Sequence, residues 1–300
     1  VNGFFIKLEE PVFRPPREHD SLIIQAGIGC SRNGCLFCAM YKGKKFRVKT
    51  PAEIEAEVMR VPEYFRNGVN KIFLADANAF CIKSDDLLEI AYILKKYFIN
   101  NRFISLYANP LDIVEKSDEE LKALRAAGYK NLYAGLESGS DRVLELMNKA
   151  GSFKESEAAV NKAHEAGFVL SVTILLGIGG KKYSGEHAAE SARLINSCAP
   201  RFVNTLTAAL YKQAPLYNMV KSGDFEFASN YDIIDEHYNF IDGLSVNRVI
   251  YRSNHVSNFI GLEGVLSKDK IKLLGSLLKF KNSSEASNYI NLKTGGNYEF

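Results

Sequence analysis

Short apolar, β-branched runs recur along the chain at residues 22–28, 72–74, 103–106, 132–136, 168–176 and 202–210. Runs of this length without polar alternation predict strands buried on both faces. The segments between them carry apolar residues at helical spacing and begin with polar start signals. Thr50 and Pro51 followed by Glu53 read as a capping box with proline in the first helical turn. Ser117 with Glu120 and Ser152 with Glu155 repeat the device, and Gly128 and Gly167 mark helix stops. Repeated alternation of strand and helix predicts parallel strands joined by right-handed crossovers, hence an α/β fold. A barrel or partial barrel accounts for it better than an open sheet. No Gly-x-Gly-x-x-Gly follows the first run, where a dinucleotide-binding fold would carry it.

The pattern divides the chain into an N-terminal extension (1–20), a strand–helix body (21–223) and a C-terminal extension (224–300) that could cover the substrate side and holds an apolar-periodic helix around 271–278. The chain begins at Val1, which fits a trimmed or missing N-terminal piece. Composition adds little: 300 residues, 46% hydrophobic and 24% charged, suit a globular protein with a sizeable core. A formal net charge of +3 does not call for nucleic acid. No apolar run approaches the roughly 18 residues that would span a bilayer, so no membrane role is expected. Five cysteines, only three of them close together, make a disulfide framework improbable and fit a reducing, cytoplasmic setting.

Those three are the chemistry-bearing feature. Cys30, Cys35 and Cys38 stand within nine residues just after the first predicted strand. In a parallel β/α barrel the loops at the C-terminal strand ends build the active site. A closed structural zinc site or an electron-transfer [4Fe–4S] cluster normally takes four protein ligands. Three thiolates leave one position open to a reacting partner, unless His19 or Cys81 completes a zinc site.

The spacing Cys-x4-Cys-x2-Cys resembles the radical SAM superfamily, whose usual signature is one residue shorter in its first interval. Asn33 and Gly34 could absorb the extra residue in a tight turn, because both tolerate positive φ. Phe37, just before the last cysteine, matches the family. Asp76, Ala77 and Asn78 lie where the family contacts the amino group of S-adenosylmethionine (SAM), although its glycines are missing here. The stretch 135–141 (Gly-Leu-Glu-Ser-Gly-Ser-Asp) is similar to the fourth-strand segment of oxygen-independent coproporphyrinogen oxidases and methylthiotransferases, where Glu137 and Ser138 would face SAM. Ala108-Asn-Pro110, the glycines at 177, 179 and 180, and the stretch 215–223 fall in matching order. Gly177 and Gly179 would let the main chain approach the adenosine.

The resemblance implies a partial (β/α)6, TIM-like barrel whose three cysteines hold a [4Fe–4S] cluster. Reductive cleavage of SAM would yield a 5′-deoxyadenosyl radical that abstracts hydrogen from a small organic substrate. Residues 199–300 contain no cysteine for an auxiliary cluster. Cys81, Tyr107 and His255 are the candidate catalytic side chains, His255 within a polar stretch (251–258) that reads either as a lid or substrate-contact loop or as a hydrogen-bonded turn. The basic run 42–49, with Tyr41 and Arg47, would suit an acidic flavodoxin- or ferredoxin-type electron donor. His164, His187 and His237 read as solvated, and Cys198 as structural. Two other classes stay open: a cluster- or SAM-binding protein without radical turnover, and a zinc-stabilised β/α protein.

Overall fold

The computed structural model describes residues 5–283 and 286, so the outer ends of both extensions lie outside the described residues. The fold is α/β. Among the described residues one sheet has eight strands and a separate ribbon has two. The chain is organised in two compact units, and the strands Tyr129–Glu137 and Val169–Leu176 contribute to both.

The first unit comprises residues 1–33, 40–135 and 158–170. It holds β1 (Leu22–Gln25), β2 (Gly27–Ile28), β3 (Arg47–Val48), α1 (Pro51–Met59), α2 (Glu63–Arg66), β4 (Lys71–Ala75), α3 (Ser84–Tyr97), β5 (Phe103–Ala108), α4 (Pro110–Glu115), α5 (Asp118–Ala127) and most of β6 (Tyr129–Glu137). Pairing is parallel throughout β1–β4–β5–β6, with Leu22 opposite Ile72, Lys71 opposite Phe103 and Leu106 opposite Leu132. Strand periodicity then puts Ile23, Phe73, Tyr107 and Tyr133 on one face, where they pack with Leu8 and Val12 of the N-terminal segment. The expected caps form: Thr50 and Glu53 close a reciprocal box on α1, and Ser117 with Glu120 does the same on α5, which ends at the left-handed Gly128. The first predicted strand is shorter than the apolar run. β1 ends at Gln25, and Gly27–Ile28 turns aside to pair antiparallel with β3.

The second unit comprises residues 34–39, 136–157 and 171–300. It holds α6 (Asp141–Leu146), the start of α7 (Phe153–Glu165), most of β7 (Val169–Leu176), α8 (Gly180–Cys198), β8 (Phe202–Thr207), α9 (Pro215–Ser222), α10 (Asn230–Gly243), β9 (Val249–Arg252), β10 (Glu263–Leu266) and α11 (Lys270–Lys281). β7, β8 and β9 pair in parallel, and β10 returns antiparallel on β9. The C-terminal extension is therefore part of the sheet. Its helix α10 packs on α8 and on α11. Ser229 caps α10 through a box with Asp232 that sequence reading passed over.

Two histidines expected in solvent are buried. His187 on α8 is wholly enclosed, and His237 on α10 is hydrogen-bonded to the Tyr251 hydroxyl. Both helices bury a stripe on which a polar residue falls among apolar ones, and the stripe rather than the residue type decides its surroundings. His164 is exposed as expected. Cys198 is buried, its thiol 3.0 Å from the Leu194 carbonyl.

Candidate active site

The cysteine loop begins in the first unit. Gly29 has φ +75, and a side chain there would press on Lys44, so the turn into Cys30 needs glycine. The Gly29 N–H donates to Asp76 Oδ2 at 2.9 Å. That fully buried carboxylate also accepts Gln25 Nε2 at 3.1 Å and Lys44 Nζ at 2.9 Å. Asp76 thus spends its oxygens on holding the loop. Asn78 does likewise: its amide nitrogen donates to Ser31 Oγ at 2.8 Å and to Asp112 Oδ2 at 2.5 Å, and its oxygen accepts the Asn109 N–H at 3.0 Å. Asn109 in turn caps α4. Between them Ala77 is half-buried. Neither Asn33 nor Gly34 adopts positive φ. The longer interval is accommodated by side-chain ties instead, with Asn33 Nδ2 donating to the Tyr41 carbonyl at 2.8 Å and Lys42 Nζ to the Asn33 carbonyl at 2.7 Å.

Cys35 and Cys38 belong to the second unit, and the segment between them is fastened through its backbone. Leu36 N donates to the Met147 carbonyl and Leu216 N to the Leu36 carbonyl, both at 2.9 Å. Phe37 packs on an apolar cluster that includes Val143, Met147, Ile178 and Leu216. All three loop cysteines are half-buried. Among the described residues no three His, Cys, Asp or Glu side chains form a ready-made metal cage. The fit to a cluster therefore rests on the donor set. Three soft thiols on a short loop suit iron–sulfur ligation, and metal sites commonly take their final shape only when the metal binds. His19, the alternative zinc ligand, is exposed and tied to the Pro16 carbonyl at 3.2 Å.

Cys81 hydrogen-bonds Ser31 and lies within electrostatic reach of Cys30, and burial pushes its thiol pKa up. Tyr107 sits edge-on to Phe73 with ring centres 5.1 Å apart. Burial, with Glu18 and Asp76 nearby, holds its hydroxyl protonated. His255 is exposed and bonded within its own turn to Ser257 at 2.9 Å. The polar stretch around it is a turn stitched to β8 and β9: Asn258 donates to the carbonyls of Thr205 at 2.7 Å and Ser253 at 2.8 Å.

At the end of β6, Glu137 is half-buried and adopts φ +66. Desolvation raises its carboxyl to about 7, against the opposing pull of Lys149. The Ser138 hydroxyl is enclosed and committed to His187 and to the Ser140 N–H, so it supports the strand end. Gly177 and Gly179 are closely packed. Added side chains would meet Ile233 at 3.1 Å and the Tyr183 carbonyl at 3.0 Å.

The basic run is not a bare cationic patch. Lys44 pairs with Asp76, Arg47 with Glu9 and Glu53, and Lys49 with Glu57. Tyr41 is buried against Phe13. Sequence reading missed Glu236 and the role of His187. The available signal was a glutamate inside the apolar stripe Ile233–Phe240 of α10, and a histidine four residues from Ser191 on the buried face of α8.

Residues 24–195 match a family model described as the Radical SAM superfamily. No curated protein matches the chain. Among solved structures, coproporphyrinogen III oxidase (HemN) from Escherichia coli aligns with TM-score 0.54 and 18% identity over 74% of this chain and 51% of that one. The radical SAM methyltransferase TsrM from Kitasatospora setae aligns with TM-score 0.53 and 19% identity over 65% and 37%, and methylornithine synthase (PylB) with 0.50 and 20% over 90% and 84%. This chain thus spans about a third of TsrM and half of HemN. At such identities the likeness bears on the fold.

Proposed function

The chain belongs to the radical SAM superfamily, and from that premise we propose that Cys30, Cys35 and Cys38 hold a [4Fe–4S] cluster with one iron left for SAM. A cluster held by these three residues would supply the electron for reductive cleavage of SAM to methionine and a 5′-deoxyadenosyl radical, the species that would abstract hydrogen from a small organic substrate.

The side chains of this protein then have distinct tasks. Asp76 fixes the entry to the loop by holding the Gly29 N–H and Lys44. Leu36 and Phe37 anchor its exit through hydrogen bonds and apolar packing. Glu137, a carboxyl that titrates near neutrality, would pair with the SAM ammonium, and a bound cation favours its charged form. Tyr107, kept protonated by burial, is suited to donate a hydrogen bond to substrate. Cys81, beside Ser31, is suited to stay a thiol. The electron would come from an external flavodoxin- or ferredoxin-type protein. Because Lys44, Arg47 and Lys49 are already paired with acids, its docking would draw little on those three cations.

One observation carries this reading: three thiols within nine residues, inside the family-matched segment, with no fourth cysteine near them in sequence. The test is anaerobic reconstitution of the chain, iron and sulfide analysis, and an assay of 5′-deoxyadenosine with SAM and dithionite. A Cys30/Cys35/Cys38→Ala variant should hold no cluster and make none. A colourless protein that binds zinc would overturn the reading. A cluster-bearing protein that never cleaves SAM would reduce it to cofactor binding.

A further inference from the structure

The strand end that carries Glu137 is clamped by a buried polar network, part of which comes from outside the family-matched residues. Glu137 itself is left-handed at φ +66, a conformation that residues with a β-carbon adopt rarely and that surroundings must enforce. Each of the next three residues is fixed. Ser138 Oγ lies 2.8 Å from His187 Nδ1, Gly139 N donates to Ser191 Oγ at 3.0 Å, and Ser140 Oγ donates to Glu186 Oε1 at 2.6 Å. Gly139 is pressed so close to α8 that a β-carbon would stand 2.2 Å from the Glu190 carbonyl oxygen.

The hydrogens of the network can be assigned. The Leu175 carbonyl only accepts, so His187 Nε2 carries the hydrogen that reaches it at 3.1 Å. In the neutral ring Nδ1 then accepts from the Ser138 hydroxyl at 2.8 Å, with Ser191 Oγ at 3.3 Å from the same nitrogen. Glu236 Oε1 stands 3.5 Å from the same Nε2 and accepts the Gly177 N–H at 2.6 Å, while Oε2 accepts the Ser184 hydroxyl at 2.6 Å. The carboxylate and the ring are both shut off from solvent. An apolar pair of similar volume is often at least as stabilising in such a place. What the polar pair adds is direction: one carboxylate ties the turn after β7 to the ring, and the ring ties down the turn after β6. Glu236 lies on α10, beyond residue 195, so the C-terminal segment of this chain reaches the strand ends that serve the cofactor.

We infer that His187 and Glu236 are positioning residues which, through Ser138, hold Glu137 in the left-handed conformation needed to bind SAM. The inference rests on the reading of Glu137 as a SAM-facing carboxylate.

The test measures SAM dissociation constants by calorimetry on the anaerobically reconstituted full chain, with iron content and melting temperature followed in parallel. His187→Ala should weaken SAM binding at least 10-fold at wild-type iron content, and His187→Gln, whose amide can still donate to Leu175, should recover most of it. Glu236→Gln should weaken binding several-fold. Ser138→Ala removes only one hydroxyl and keeps the test open if His187→Ala does not fold; a several-fold loss is expected. Leu277→Ala, in the buried face of α11, serves as a destabilised control. Wild-type affinity in His187→Ala and Ser138→Ala, beside weakened binding in Glu137→Gln, overturns the inference. So does a Leu277→Ala protein that loses as much affinity as His187→Ala. Undiminished binding in Glu137→Gln overturns the underlying reading of Glu137 instead.

Discussion

Asp76 accepts a hydrogen bond from the backbone of Gly29 at 2.9 Å, one residue before the first loop cysteine, while the same oxygen takes Lys44 Nζ at 2.9 Å. Almost no solvent reaches either charge. Removing one partner of a buried pair typically costs about 3–5 kcal/mol, because the other charge is stranded. Asp76→Ala should therefore lose stability of that order in urea denaturation. Asp76→Asn, which keeps an acceptor for Gly29, should lose less. Both should retain less iron per chain after reconstitution, with Asp76→Ala the lower.

Glu137 sets a pH dependence whose sign can be worked out. Its carboxyl is raised from 4.5 to about 7 by burial, so the folded protein binds more protons than the unfolded chain between those values. The associated stability is present below 4.5 and is lost as pH rises through 7. Glu137→Gln removes this loss. The variant should gain stability over the wild type as pH rises, by on the order of 1–3 kcal/mol above neutrality. SAM affinity of the reconstituted wild type should climb as pH passes through about 7, and stay flat in Glu137→Gln. A flat wild-type profile would contradict the pairing with a cationic ligand.

Two glycines of the second unit should respond oppositely to alanine. At Gly139 the new β-carbon would meet backbone atoms of Glu190 and Ser191 within 2.7 Å, which no rotamer change relieves. Gly139→Ala should be destabilised by about 1–3 kcal/mol or more. Gly185, exposed within α8, has nothing within 4 Å of the added atom. Gly185→Ala should gain about 0.5–1 kcal/mol from helix propensity alone. Thermal unfolding of the pair checks both signs.

His237 contributes to acid sensitivity. Burial lowers it from 6.5 to about 3. Below 6.5 the unfolded chain gains a proton that the folded ring refuses, so stability falls with falling pH until about 3. The slope should approach about 1.4 kcal/mol per pH unit in the middle of that window. His237→Gln should flatten the dependence measured by urea titrations between about pH 6 and 4, relative to wild type.

Much of the architecture is legible before any coordinates. Each of the six apolar runs contains a strand, the first being divided between β1 and β2, and Thr50, Ser117 and Gly128 act where local rules place them. These features depend on neighbours three or four residues away. The donor set of the cysteine loop is equally local, since Cys30, Cys35 and Cys38 lie within nine residues. By contrast, Asp76 and Ser138 are correctly located at strand ends yet turn their side chains to inward hydrogen bonds. A carboxylate or hydroxyl at a strand end looks the same in sequence whether it meets a ligand or a neighbouring helix.

What the sequence by itself determined, then, is the strand–helix alternation, the helix ends and the three-thiol loop, because propensity, capping and covalent spacing act over short separations. Tertiary structure alone decided which polar groups are buried and what satisfies them. Gly29 meets Asp76 across 47 residues, Ser138 meets His187 across 49, and Gly177 meets Glu236 across 59. Such contacts form only when packed elements exclude water and leave each buried donor and acceptor few partners within reach.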